Sequence, residues 1–340
     1  MDKQIVFAGK NKAELWEVES QSLREDCVRV KTCVSTISNG TEKANLTRDT
    51  DLGVFSKPED VVPFPRKLGY SASGVVVEKG SAVKGLEVGD RVAMYGSTHR
   101  SYNVIPAEYA IKIEYDNVSY EEASLSYIAS FPLAAIRKAR IEVGESAMVM
   151  GLGILGLLGV ACLHAAGAVP VIAVDPDEKR REQALKFGAD YAFSPYDEGY
   201  IQKIKEITGS GVNVAIEVTG LGVGLNQTLE CMAKYGRVSL LGCTRSTDFS
   251  VDYYRQVHGK GVSLIGASTV ARPSRESSPG LFTTRDDIKT FLKLCALERI
   301  NAKGMIGETH TPEECSEVYQ RLLSGKDFPS IVQYDWRDVK

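Results

Sequence analysis

Between Ser146 and Arg180 the chain reads SAMVMGLGILGLLGVACLHAAGAVPVIAVDPDEKR. A short apolar strand runs straight into Gly151-Leu152-Gly153-Ile154-Leu155-Gly156, a helix-compatible segment follows, and a second apolar strand ends at Asp175. The first glycine permits a tight turn, the second lets a pyrophosphate approach the backbone, and the third lets helix and strand pack closely. The helix start then offers free N–H groups and a partial positive charge to phosphates. Glycines at this spacing also serve plain helix packing. The strand before, the helix after and an acid about 20 residues beyond together indicate a dinucleotide site.

Asp175 bears on which dinucleotide. A carboxylate at the end of the second strand accepts hydrogen bonds from a ribose 2′-OH and repels a 2′-phosphate, which favours NAD over NADP. Lys179, Arg180 and Arg181 downstream suit either a phosphate or a solvated helix start. Two later apolar runs, NVAIEVTG (213–220) and GRVSLLG (236–242), each finish in glycine, as expected where backbone passes close to a bound ring. The expected coenzyme contacts are Gly151, Gly153, Ile154, Leu155, Gly156, Asp175, Arg180, Val218, Thr219, Gly242 and Gly266.

The rest of the chain divides by pattern. The first 125 or so residues carry short β-type runs (QIVFA, CVRVKTCV, ASGVVVEKG, DRVAMY, AEYAIKI) between turn residues, which predicts an all-β, barrel-like region. From Tyr120 the pattern turns helical, then alternates strand and helix to about Gly266, which implies βαβ units and a parallel sheet. A loop rich in Ser, Pro and Arg (271–284), helices near Arg285–Leu297 and Pro312–Leu323, and a closing strand SIVQY complete it.

A length of 340 residues, 43% hydrophobic and 25% charged, suits an enzyme-sized chain with ample core, most simply in two domains. A net charge of −3 without basic tracts argues against nucleic acid or an anionic membrane as main partner. No signal peptide or membrane span is expected. The seven cysteines (27, 33, 162, 231, 243, 295 and 315) are scattered without a CxxC pair, as expected of reduced thiols in the cytoplasm. His164 falls in an apolar helix pattern and reads as a core residue.

In KLGYSASGV (67–75), Gly69 and Gly74 bracket Tyr70, Ser71 and Ser73 ahead of an apolar run. This suits hydroxyls presented to a cleft and equally an ordinary turn entering a strand.

The order of parts, with GVVVEKGSAVKGLEVGDRV (74–92) and AAIRKARIEVGE preceding the glycine turn, resembles the medium-chain dehydrogenase/reductase superfamily over essentially the whole chain. The resemblance implies an α/β architecture: a GroES-like β-barrel catalytic domain (1–127, with a return at 268–340), a Rossmann doubly wound parallel-sheet coenzyme domain (128–267), and a cofactor-bound cleft between them. It also implies a homodimer, with the apolar segment GVSLIGAS (261–268) at a sheet edge. Zinc-dependent members carry a catalytic Cys, a Gly-His-Glu turn and a later Cys or acid. Here those positions fall at Ser38, at Gly69-Tyr70-Ser71 and near Ser126 or Tyr127, and only STHRSYNVIP (97–106) stands where a four-cysteine lobe would be. Hydroxyls are poor zinc ligands, so a metal-free member is expected.

With no metal, a positioned side chain must handle the hydroxyl proton. Tyr70 is the natural substitute, Glu42 the second candidate, with Ser38 and Asn39 as hydrogen-bonding neighbours and His99 a further option. Each also suits a purely structural place. Arg272 and Arg275 of RPSRES suit a hydroxylated or anionic small-molecule substrate, or plain solvated loop charges. The reading is an NAD-dependent alcohol or polyol dehydrogenase, interconverting a secondary alcohol and a ketone on a sugar- or cyclitol-like substrate. The alternatives are an NAD(P)H-dependent quinone or enoyl reductase and a non-catalytic NAD-binding protein.

Overall fold

A computed structural model describes residues 1–47, 63–243, 249–325 and 327–339. Along the chain run β1 (Asp2–Gly9), β2 (Lys12–Val18), β3 (Cys27–Thr36), α1 (Asn39–Thr47), β4 (Arg66–Lys67), β5 (Ser71–Lys79), β6 (Arg91–Tyr95), β7 (Tyr102–Pro106), β8 (Ala110–Lys112), α2 (Tyr120–Ala123) and α3 (Ser126–Ala139). There follow β9 (Ala147–Met150), α4 (Ile154–Ala165), β10 (Val171–Val174), α5 (Glu178–Lys186), β11 (Tyr191–Phe193), α6 (Tyr200–Thr208), β12 (Val212–Glu217), α7 (Gly222–Cys231), β13 (Met232–Leu240) and β14 (Ser263–Gly266). The chain closes with α8 (Thr284–Ala296), β15 (Glu308–His310), α9 (Cys315–Ser324) and β16 (Val332–Asp335). No helix of the described residues is long and apolar enough to cross a membrane.

Two compact units result. One holds the described residues of Met1–Ile128 and Ile288–Lys340, the other those of Ala129–Asp287. In the first, β2-β1-β4 form one sheet, and β15-β16-β3-β5-β6-β8, with β7 also on β3, form a second. Gly74 of β5 pairs with Thr32 of β3 beside a register shift; a Cβ there would lie 2.1 Å from the Lys31 carbonyl oxygen, so only glycine allows that approach. Val28, Val30, Ala72, Val76, Val92 and Met94 make one core. A second gathers Ile5, Phe7 and Ile37 with Tyr319, Tyr334 and Trp336. β16 pairs antiparallel with β3, Gln333 opposite Thr36, which brings the end of the chain back to the first unit. Phe7 is 1% exposed, and burying such a side chain stabilises by roughly 1.5–3 kcal/mol.

In the second unit six strands pair in the order β11-β10-β9-β12-β13-β14, parallel throughout. This is the doubly wound order, in which the chain starts at the centre and winds outward on both sides. β9 and β10 are buried along their whole length, as sheets covered on both faces require. α4 is apolar nearly all round and buried from Ile154 to Leu163 save Leu155. The 268–287 segment of this unit is tied to α3. Buried Asp287 accepts from Arg137 Nε at 2.8 Å and from Arg272 Nη2 at 3.0 Å.

Candidate functional site

In the second unit each glycine of the 151–156 turn has a distinct physical reason. Gly151 adopts φ +96°, the left-handed region, directly after β9. Gly153 caps α4 with no side-chain hydrogen bond, and a Cβ on it would meet nothing within 4 Å. A Cβ on Gly156 would fall 1.8 Å from the Gly151 carbonyl oxygen, so any side chain there would push the helix off the strand. The arrangement leaves a bare helix N-terminus with open space at its second glycine, which fits a pyrophosphate.

Asp175 follows β10, and its carboxylate reaches back to this turn. Oδ2 accepts from the Leu152 N–H at 2.6 Å and Oδ1 from the Asp177 N–H at 2.9 Å. A carboxylate has about four lone-pair sites, so two such bonds leave capacity for a ribose hydroxyl. Arg180 Nη1 lies 3.9 Å from Asp175 Oδ2, and Arg181 Nη1 donates to the Asp175 and Pro176 carbonyl oxygens. Val218 is stitched to the end of β9 by its N–H on the Met150 carbonyl, 3.0 Å. Gly242 has a reason internal to the fold: a Cβ there would lie 2.4 Å from the Gly220 nitrogen. Strand ends packed backbone to backbone thus require that glycine. Gly266 is exposed at the end of β14, its carbonyl accepting from Lys138 Nζ at 2.8 Å.

In the first unit the candidate residues separate into two groups. Tyr70 donates to Ser38 Oγ. Its ring meets Tyr127 edge to face with centroids 5.5 Å apart. Burial pushes the Tyr70 phenol up to about 12, against the opposing hydrogen bonds of Ser38 and Thr41. The other hydroxyls of the GYSASG stretch turn away to backbone: Ser71 donates to the Ser124 carbonyl and Ser73 to the Tyr120 carbonyl, both at 2.6 Å.

Glu42 and His99 lie behind this pair and are 0% exposed. Glu42, in the first turn of α1, accepts from the Ser38 N–H at 2.8 Å, from the Tyr319 hydroxyl at 2.5 Å, and lies 3.2 Å from His99 Nε2. His99 Nδ1 is 2.7 Å from Ser35 Oγ, which accepts from Trp336 Nε1 at 2.8 Å. Burial alone would raise the Glu42 carboxyl, but attraction to His99 and the hydrogen bonds of His99, Tyr319 and Ser38 hold it below the ordinary value. Burial and the nearby Glu42 push Tyr319 well above the usual phenol range. Tyr319 carries no sequence signal of its own.

The expected substrate contacts each lie within one unit. Asn39 Nδ2 donates to the Pro329 and Ser330 carbonyl oxygens at 3.0 and 3.1 Å. Arg272, with a side chain 6% exposed, donates to Ser130, Thr284 and Asp287 of its own unit, which makes it a clamp. Arg275 is exposed.

Fold and glycine turn define a dinucleotide-binding dehydrogenase architecture. Residues 41–115 match the family model described as alcohol dehydrogenase GroES-like domain, and residues 155–284 that described as zinc-binding dehydrogenase. L-threonine 3-dehydrogenase of Pyrococcus abyssi is 32% identical over 249 residues, covering 64% of this chain and 71% of that protein. The Pyrococcus furiosus enzyme of the same name is 33% identical, covering 59% of this chain and 66% of that protein. The match thus spans about two thirds of the length of these relatives. D-guloside 3-dehydrogenase of Escherichia coli is 26% identical, covering 80% of this chain and 82% of that protein. The crystal structure of 2R,3R-butanediol dehydrogenase from Bacillus subtilis shares the fold, with a TM-score of 0.83 at 22% identity over 98% of this chain and 99% of that one. The chain belongs to the medium-chain dehydrogenase/reductase superfamily, among the alcohol dehydrogenase-like proteins.

The name of one matching family model raises zinc, and the donors here do not fit it. At the ligand positions implied by the resemblance stand the hydroxyls of Ser38 and Tyr70, bonded to each other, and Ser126, whose hydroxyl donates to the Ala123 carbonyl at 2.7 Å. Zinc takes thiolate, imidazole or carboxylate. Among the described residues no three His, Cys, Asp or Glu side chains gather where they would hold a metal ion.

Proposed function

We propose that the protein is a zinc-independent, NAD(H)-dependent oxidoreductase that interconverts a secondary alcohol and a ketone on a polar, sugar- or cyclitol-like substrate. The observation that carries this reading is the Tyr70–Ser38 hydroxyl pair at positions that the resemblance assigns to metal ligands. The relatives support the hydroxylated substrate class, being named as dehydrogenases of threonine, a guloside and butanediol. When bound, the nicotinamide exchanges a hydride with the carbon that carries the reacting oxygen. With a pKa of about 12, the Tyr70 phenol keeps its proton at neutral pH and donates it to a substrate carbonyl. Ser38 Oγ accepts a hydrogen bond from the phenol and keeps it oriented. Glu42 serves this pair from behind, by fixing the Ser38 backbone through its N–H.

For the coenzyme, the backbone from Gly151 to Gly156, including Ile154 and Leu155, would take the pyrophosphate, and Asp175 the adenine ribose. Arg180, Val218, Thr219, Gly242 and Gly266 complete the proposed site. The carboxylate favours NAD, because it accepts from a 2′-OH and repels a 2′-phosphate. NAD should therefore show a much higher kcat/KM than NADP. Asp175→Ala should narrow the gap by weakening NAD about 10- to 100-fold, the worth of charged hydrogen bonds. Equal or better use of NADP by the unmutated protein would contradict the assignment and favour the quinone or enoyl reductase reading.

A further inference from the structure

We propose that Glu217 is a positioning residue for coenzyme binding: its buried carboxylate shapes the Val218–Gly220 turn that lies against the glycine turn. Glu217 is the last residue of β12, in register with Met150 on one side and Leu240 on the other. It is 3% exposed. Oε1 accepts from the Thr219 N–H at 2.8 Å and from the Thr219 hydroxyl, and Oε2 accepts from the Gly220 N–H at 3.2 Å. The turn so held touches the glycine turn, since a Cβ on Gly151 would lie 2.9 Å from Thr219 Cγ2. It also meets the start of α7: a Cβ on Gly224 would stand 2.3 Å from Thr219 Oγ1 and 3.2 Å from Glu217 Oε1. Thr219 thus packs closely against both glycines, and the carboxylate accepts from its N–H and hydroxyl.

The chemistry of the side chain is specific. A buried carboxylate is costly unless its oxygens are hydrogen-bonded, and here three donors converge on both oxygens. Burial raises its pKa, and the Thr219 and Gly220 hydrogen bonds oppose that rise. An amide has a single acceptor oxygen and two donors, so glutamine would leave either the Thr219 or the Gly220 N–H facing another N–H. Aspartate is shorter but keeps both oxygens, and a side chain of that length caps the N–H two residues on in an Asx-turn.

The inference rests on the coenzyme reading above, and its test separates the two. NADH is titrated by fluorescence into the full chain, with thermal melts of the same preparations. Glu217→Gln should raise the NADH Kd about tenfold, the cost of roughly one lost hydrogen bond to a charged group. Glu217→Asp should stay within about threefold of the unmutated protein. If Glu217→Gln does not fold, Thr219→Val, which removes the hydroxyl that donates to Glu217 and accepts from the Leu221 N–H, should weaken NADH by about threefold or more. Binding by the unmutated protein with an unchanged Kd in the glutamine or valine variant would overturn the role of Glu217 alone. So would aspartate and glutamine variants that lose affinity equally and only in step with their melting temperature. Failure of the unmutated protein to bind NADH would overturn the coenzyme reading and this inference with it.

Discussion

Tyr70 and Glu42 are two acidic side chains of one neighbourhood held in opposite states. Burial keeps the Tyr70 phenol protonated, while hydrogen bonds and His99 keep the Glu42 carboxyl ionised. Tyr70→Phe retains the ring against Tyr127 and removes the donor. Turnover should fall about two to four orders of magnitude, with coenzyme affinity and melting temperature preserved; a change of only a few-fold would make Tyr70 a pocket wall. Glu42 answers to stability. Its folded pKa lies below the ordinary 4.5, so the unfolded chain binds the proton more tightly. The stabilisation is complete above the unfolded value and is lost as pH falls through the folded one. Glu42→Gln should cost roughly 3 kcal/mol at pH 7 and flatten the acid branch of the urea-unfolding profile below about pH 4.5. Equal stability of both proteins at pH 7 would show the pair to be expendable.

At the scale of the element, the glycine turn was the most legible part. Backbone conformation and steric space at Gly151 and Gly156 demand glycine locally, and local demands are written in consecutive residues. α1 was hidden, since the residues it buries are Glu42, Ala44 and Leu46, a carboxylate where an apolar residue would complete the periodic stripe. Glu42's third partner, Tyr319, lies 277 positions away, and no pattern in one sequence announces such a pairing. Arg272 read as a substrate contact or a solvated loop charge because its partner Asp287 lies in a later helix, 15 positions on. β14 was anticipated as an edge strand and is one, with Leu264 42% exposed. An exposed apolar edge invites pairing with a second copy. Light scattering at about micromolar concentration should find a homodimer, and Leu264→Lys should shift it to monomer, since a charge blunts such an edge. A monomeric unmutated protein would refute this assembly.

Over the whole molecule, the residues of the proposed reaction come from two separately built units. The second supplies a bare helix N-terminus, Asp175 and a turn braced by Glu217. The first supplies a hydroxyl pair backed by a buried network of Ser35, His99, Glu42, Tyr319 and Trp336. Two parts of the chain more than 280 positions apart meet in that network, Ser35 with Trp336, which is why the first unit needs both ends of the sequence. A catalytic metal is replaced, in this account, by the Tyr70 phenol acting as proton donor. The most direct test is zinc content and turnover measured on one preparation, before and after exhaustive chelation, with NADH and a panel of polyhydroxylated ketones. The expected result is no stoichiometric zinc and a ketone reductase activity that chelation leaves unchanged. About one tightly held zinc per chain, lost together with the activity, would contradict it.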